Sequence, residues 1–493
     1  MRRLPAAESK GAGAAPVEPS CMSDFSRRDF LRTAGTAAGF GLLGSRAMSL
    51  SLDRDANFEL QSGDLPRPKA IEYLKPSKPV RAIVCGFGNR GSYYASMSSE
   101  LKDEWEIVGV AEPVDYKRNR AVERYNIPSR STFVTWEHIF ERPKFADVVI
   151  ISTPDNLHYG PAMAALEKGY DLLLEKPIAQ SWKQCEDILR LATKKGAIVG
   201  VCHVLRYAPI FVQIHEVIRS GMIGDVVSVQ HIEPIYYLHF AHSYVRGPWH
   251  ETKKSNPSLL AKSCHDLDIL RWYVGTPCER VTSFGSLKFF RKEYAPEGAP
   301  DFCLRGCPVE DSCIYHAGNV YVHKKLWGTS HIITEDRSDA GILKALETQD
   351  YGRCVFRNDN DVVDHQIVAM QFQGDVTATF SMEAMTSYAG RRTRVMGTKG
   401  DIVADEQFID VYDFQSQKGI RWDVNQHASD LGGHGGGDTR LVRDLIQAVS
   451  RRDPGLLTSN LTASMESHLI GFRAEESRHK GGQVMTTRMP KLT

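Results

Sequence analysis

Two regimes of apolar and polar patterning follow each other along the chain. From Val80 to about His203, short apolar runs recur between amphipathic stretches: Ile83–Val84, Ile107–Ala111, Asp147–Ser152, Asp171–Leu174 and Ala197–Cys202. Runs buried on both faces and separated by helical patterns, here Pro161–Lys168 and Trp182–Lys195, predict a parallel sheet covered by helices. After about Val204 the pattern changes to alternation. Asp225–His231, Ile367–Phe380 and Arg394–Val403 read as strands of a large, mostly antiparallel open sheet. Helices are expected at Pro209–Ser220, Pro257–Val274, Thr439–Val449 and Thr462–His479, giving an α/β domain followed by an α+β domain.

The first apolar run leads into Gly86, Gly88 and Gly91, with Asn89 and Arg90 between them. This G-x-G-x-x-G spacing after a strand suits a dinucleotide: one glycine makes the turn, one lets backbone approach the pyrophosphate, one packs helix on strand. Glycine-rich turns also serve as plain loops, so context decides. Ile107–Ala111 ends at Glu112, 21 residues after Gly91, where a carboxylate accepts bonds from ribose hydroxyls. An acidic residue there favours NAD over NADP, whose 2′-phosphate it repels; Arg90 and Arg118 are placed to offset this.

At 493 residues the chain has length for two domains plus a tail: a signal region at 1–50, a proline-rich linker at 51–79, a Rossmann domain at 80–203, and a second domain at 204–493. Lysine plus arginine (61) balances aspartate plus glutamate (60), which removes any bulk electrostatic case for nucleic acid. No apolar run is long enough to span a bilayer. Ser26-Arg27-Arg28-Asp29-Phe30-Leu31, then a weakly apolar segment and small residues, resembles a twin-arginine export signal and implies a periplasmic protein. The alternative is a flexible basic arm on a cytoplasmic one.

Thr153, Pro154, Asn156 and His158 follow the strand Asp147–Ser152, and Glu175-Lys176-Pro177 follows the strand Asp171–Leu174. With the glycine loop and a later histidine helix, these residues resemble the glucose–fructose oxidoreductase and inositol dehydrogenase family over roughly 80–485. The resemblance implies that Lys176 stands between nicotinamide and substrate, while Glu175, Asn156, His158 and His203 line the cofactor. It also implies a sugar or polyol substrate and a homodimer or homotetramer. His265 takes the place of the family's proton-transfer histidine. The family pattern has an aspartate four residues earlier, and here that residue is Ala261. Either Asp268 supports His265 instead, or Lys262 takes the proton role. On the helix Pro257–Val274, with a core stripe at Leu260, Cys264, Leu267, Leu270 and Val274, both His265 and Lys262 fall on the opposite face.

The stretch His231–Trp249 mixes histidine, tyrosine, tryptophan and arginine, which suits a ligand with apolar CH faces and many hydroxyls. Its candidate substrate contacts are His242 and Arg246, joined by Arg206, Tyr207 and His434. The last lies in Gly432–Gly437, a run too glycine-rich for regular structure, with Asp438 placed to cap the following helix. Cys303, Cys307, Cys313 and His316 match no common zinc spacing, so no metal is expected; a disulfide, free thiols and a metal site all stay open. The expected activity is hydride transfer at a CH–OH carbon, with His265 as base and Lys176, with Lys262, stabilising the alkoxide. Two lysines in one cleft would lower each other's pKa. The alternatives are a glycosidase that oxidises and re-reduces a sugar with recycled NAD, and a non-catalytic sugar-binding module.

Overall fold

The computed structural model describes residues 59–68, 72–328, 332–427 and 432–489, so the arginine-pair segment lies outside the described residues. A short strand, β1 (Glu59–Ser62), joins the second of two sheets before the first is built. The apolar runs then form β2 (Val80–Cys85), β3 (Trp105–Ala111), β4 (Thr132–Phe133), β5 (Val148–Ile151), β6 (Asp171–Leu174) and β7 (Val199–Val201). They pair in the order β4-β3-β2-β5-β6-β7, all parallel. Ala82 to Cys85 and all of β5 are buried, as continuous apolar strands covered on both faces require. β3 lies on one side of β2 and β5 on the other, which opens a crevice at the strand ends. The helix Trp182–Lys195 begins at Ser181, whose hydroxyl accepts from Gln184 N, and ends at Gly196 in a left-handed conformation.

The second sheet contains β8 (Val226–Pro234), β9 (Cys278–Ser286), β10 (His365–Phe372), β11 (Thr377–Glu383), β12 (Arg392–Gly397), β13 (Gly400–Ala404), β14 (Phe408–Asp413), β15 (Lys418–Asp423) and β16 (Met485–Thr486). With β1 it has ten strands in the order β1-β15-β14-β13-β12-β8-β11-β10-β9-β16. Only β1 with β15 and β8 with β11 run parallel. The expected large, mostly antiparallel sheet is therefore present.

Two expectations need correction. The helix over 257–274 is interrupted: Ser258–Ala261 and Cys264–Val274 are separate, with Ser263 between them at φ −99°, ψ 11°. Its second part has no wet face over Cys264–Leu270, because the sheet packs on one side and the helix Leu461–His479 on the other. His231 of β8 meets Asp266, Ser467 meets Asp268, and a Cβ on Gly471 would sit 3.3 Å from Leu267. The second correction concerns the glycine run. Gly432–Gly435 forms a single turn, and the next helix spans Gly437–Arg451, preceded by Gly436 in a left-handed conformation. Asp438 lies inside the first turn and makes no cap bond. Glycine at 437 serves close approach, since a Cβ there would stand 2.2 Å from Val204 O.

The stretch before β2 straps onto this helix. Tyr73 Oη donates to Asp444 Oδ1 at 2.9 Å, and Leu74 exchanges two bonds with the Gln447 side chain. Burial raises the Asp444 carboxyl to about 7, outweighing the bond from Tyr73 and the charge of Arg440. The folded protein thus holds a proton that the unfolded chain releases in the ordinary aspartate range. Stability should fall as pH rises from that range to about 7, by at most about 1.4 kcal/mol per unit. Asp444→Asn should flatten this slope in denaturant titrations; an unchanged slope would place the titrating group elsewhere.

Candidate active site

Gly86, at φ +89°, has no room for a side chain: a Cβ would lie 2.6 Å from Ser152 O. At Gly91 a Cβ would lie 2.0 Å from Gly86 O. Both glycines let the loop close on itself. Gly88 differs, because nothing lies within 4 Å of where its Cβ would be. It precedes the helix Asn89–Ser96, so an open floor faces free N–H groups at a helix N-terminus. That cradle fits a dinucleotide pyrophosphate. Glu112, at the end of β3, is buried and accepts from Phe87 N at 2.7 Å and Val114 N at 3.0 Å. It ties the glycine loop to the next strand and keeps only its remaining lone pairs for a ribose.

Asn89, Pro154 and Asn156 are exposed, and Thr153 Oγ1 donates to Leu157 O. His158 is buried, with Nδ1 2.8 Å from Pro177 O and Nε2 3.0 Å from Thr153 O. Both ring nitrogens are spent on backbone carbonyls, bracing the loop against Pro177. Glu175 is buried beside it. Its Oε1 accepts from Arg90 Nε at 2.8 Å and Tyr94 Oη at 2.7 Å, and its Oε2 from Lys176 N at 3.0 Å. Burial pushes this carboxyl up, but the charges of Arg90 and Lys176 outweigh it and hold it below the usual range. Arg90 also pairs with Asp438, whose other oxygen lies 2.8 Å from His434 Nδ1.

Lys176 Nζ donates to Ala261 O at 2.7 Å, the carbonyl left free where the helix breaks. The ammonium thus meets the segment that leads into His265. His265 is buried, with its Nδ1 unpartnered, and its ring lies 5.7 Å from His203 and 6.3 Å from His434. Burial first, and then the charge of Lys176, pushes His265 well below its ordinary value. His203 is lowered to about 4 by burial; among the described residues neither of its nitrogens has a hydrogen bond, and Nε2 lies 3.9 Å from Asp268 Oδ1. His468, 5.4 Å beyond, completes a row of imidazoles and is lowered to about 3.

Both routes suggested for the missing aspartate change here. Asp268 does not reach His265; it holds Arg206 through two bonds of 2.6 and 2.8 Å. Lys262 Nζ lies 3.3 Å from Glu233 Oε1, and Glu233 also pairs with Arg391. Each lysine therefore has an oxygen partner of its own.

Several expected substrate contacts are spent inside the fold. Arg206 is buried on Asp268 and Thr458 O, and Tyr207 Oη is bonded to Ser459. Arg246 is 2% exposed and donates to the carbonyls of Arg353 and Tyr315. His242 is buried, with Nδ1 2.9 Å from Tyr321 Oη and its ring stacked on Tyr351. The mixed aromatic composition reflects a packed nest. Of the five, His434 alone has an exposed side chain. Residues the sequence did not assign to the site enter instead: Asp438, read as a helix cap, as the anchor of His434 and Arg90, Glu233 as the partner of Lys262, and His239. Burial and the charge of Lys262 lower His239 to about 3, with Lys176 adding to the effect. No spacing signals these residues, since each is brought in by a separate segment.

Comparison with known proteins accords with this arrangement. Residues 80–203 match the profile of an oxidoreductase family with an NAD-binding Rossmann fold, and 215–486 match its C-terminal alpha/beta domain. The chain is 27% identical over 390 residues to YteT of Bacillus subtilis, covering 74% of this chain and 88% of that protein. It is 26% identical over 208 residues to the NAD(+)-dependent scyllo-inositol 2-dehydrogenase of the same organism, covering 42% of this chain and 58% of the relative. The fold is shared with an inositol dehydrogenase homolog from Azotobacter vinelandii complexed with NADH and myo-inositol, at TM-score 0.58 and 14% identity over 84% of this chain and 98% of that one. It is shared too with a levoglucosan dehydrogenase complexed with NADH and L-sorbose, at TM-score 0.62 and 17% identity over 84% and 100%. The two matched domains together span most of the sequence, and the chain belongs to the Gfo/Idh/MocA family of oxidoreductases.

Proposed function

We propose that this protein transfers hydride between NAD and a hydroxyl-bearing carbon of a sugar, glycoside or polyol. The observation that carries the reading is the bond from Lys176 to Ala261 O, which sets the ammonium against the helix break ahead of His265. A nicotinamide dinucleotide held by the glycine cradle supplies the hydride chemistry. The chain's own residues manage the proton and the charge. Lys176 stabilises the oxyanion that develops on the substrate carbinol. His265, kept neutral by burial and by Lys176, offers its free Nδ1 to the hydroxyl proton. His434, oriented through Nδ1 by Asp438 and 6.3 Å from the His265 ring, supports His265 where the aspartate is missing.

The same proposal includes two features of the whole protein. Export is supported by the arginine pair before Phe30-Leu31. Association of copies through the broad sheet is supported by Val227, Phe284 and Ile367, exposed apolar residues on β8, β9 and β10.

Purified protein incubated with NAD and a panel of polyols, sugars and glycosides should form NADH with at least one of them. Silence across the panel, or aglycone release without net NADH, would count against net oxidation. Lys176→Ala should lower turnover by about 10²–10⁴-fold while NAD affinity stays within a few-fold; normal turnover would remove Lys176 from the chemistry. Gly88→Val should leave the denaturation midpoint nearly unchanged and weaken NAD binding by about tenfold or more. Gly91→Val should also destabilise the fold, because its side chain meets backbone. Unaltered NAD affinity in Gly88→Val would place the cofactor elsewhere.

A further inference from the structure

Away from the imidazole row, four cysteines converge on one small cavity. Cys303, Cys307 and Cys313 come from the stretch after β9, and Cys354 from the stretch before β10. A local antiparallel pairing sets the two stretches side by side: Cys303 N donates to Gly352 O at 2.9 Å, and Cys354 N to Asp301 O at 2.8 Å. Turns closed by Cys313 N on Val309 O and His316 N on Cys313 O fold the remainder back. The four thiols are free, and with His316 they line a cavity of ≈ 10 Å³. That is room for one particle the size of a water or an ion.

One feature beside the cavity calls for negative charge within it. Arg246, 2% exposed, points a guanidinium N–H at Cys303 Sγ at 3.5 Å, and among the described residues it has no carboxylate partner. A buried guanidinium without a counter-charge is costly, and thiolates are the anions this neighbourhood can supply. His316 is fully buried, with Nε2 2.9 Å from Cys303 O and Nδ1 3.9 Å from Glu310 Oε1.

We propose that Cys303, Cys307, Cys313 and Cys354 hold one thiophilic divalent cation of the zinc class, in a closed structural site apart from the hydride chemistry. On binding, each thiol gives a proton to solvent and each sulfur donates an electron pair to the ion. The tetrathiolate site carries two negative charges, and Arg246 offsets one of them. Among the described residues, the metal-ligating groups whose atoms already lie within 4.8 Å of one another are His250, Glu251 and Asp359. There Lys254 Nζ, 3.1 Å from Glu251 Oε1, already supplies the positive charge. The four sulfurs are not gathered within that distance, so binding requires their side chains to rotate inward around the ion. The cavity is too small for a polynuclear iron–sulfur cluster.

The test is elemental analysis of the purified full chain, followed by exchange with cobalt. One equivalent of zinc is expected, released in step with blocking of thiols by a mercurial, and a sulfur-to-cobalt charge-transfer band of the strength four thiolates give. Cys313→Ser and Cys354→Ser should lose the ion, whereas Cys185→Ser, buried in the first domain, should keep it. Metal-free protein that takes up neither zinc nor cobalt would overturn the proposal. So would a mass consistent with a disulfide among the four, or a His316→Gln variant that loses the ion while Cys303→Ser retains it.

Discussion

Glu175 is the group on which the site depends. A buried carboxylate persists only if its lone pairs are met, and here the partners come from Arg90 and Tyr94 behind the glycine loop and from Lys176 N. Arg90 passes the constraint to Asp438, and Asp438 passes it to His434. The glycine loop, Lys176 and His434 are therefore placed by one set of charge-assisted bonds. Burial alone would push both acids toward neutrality; the opposing charges win and keep them ionised.

The interrupted helix does the complementary work from the second sheet. Continuous helix would have used the Ala261 carbonyl internally; the break leaves it for Lys176. Beyond the break, Asp266 faces His231 and Arg391 while Asp268 faces Arg206. Both acids are buried and paired, which fixes the rotation of the helix and hence the direction of His265. The charged residues nearest His265 along the chain are thus architectural, and they stiffen the frame that carries it.

Legibility in the sequence followed range. Strands of the first sheet were readable because uninterrupted apolar runs have few alternative fates, and the glycine spacing because each glycine answers a local steric demand. Glu175-Lys176-Pro177 was readable only with its family context. Burial of Arg206, Tyr207, His242 and Arg246 was not, since a polar aromatic segment looks the same whether its hydrogen bonds point to solvent or to carbonyls far along the chain. The helix break was hidden for a related reason. Ser258–Val274 has helical periodicity throughout, and the competing partner for Ala261 O lies 85 residues away. Asp438 looked like a cap because the rule for caps is local, whereas its two partners are Arg90 and His434.

The ends of the ten-stranded sheet have a further consequence. An open sheet offers unpaired backbone ladders at both margins, an invitation to runaway filament growth. Here one margin is β1, four residues long and followed closely by Pro66 and Pro68, and the other is β16, with two residues. Among the described residues, neither margin strand exceeds four residues. Strands this short give little template for ladder-to-ladder growth, and colloidal behaviour is left to the side chains on the broad surface between the two margins.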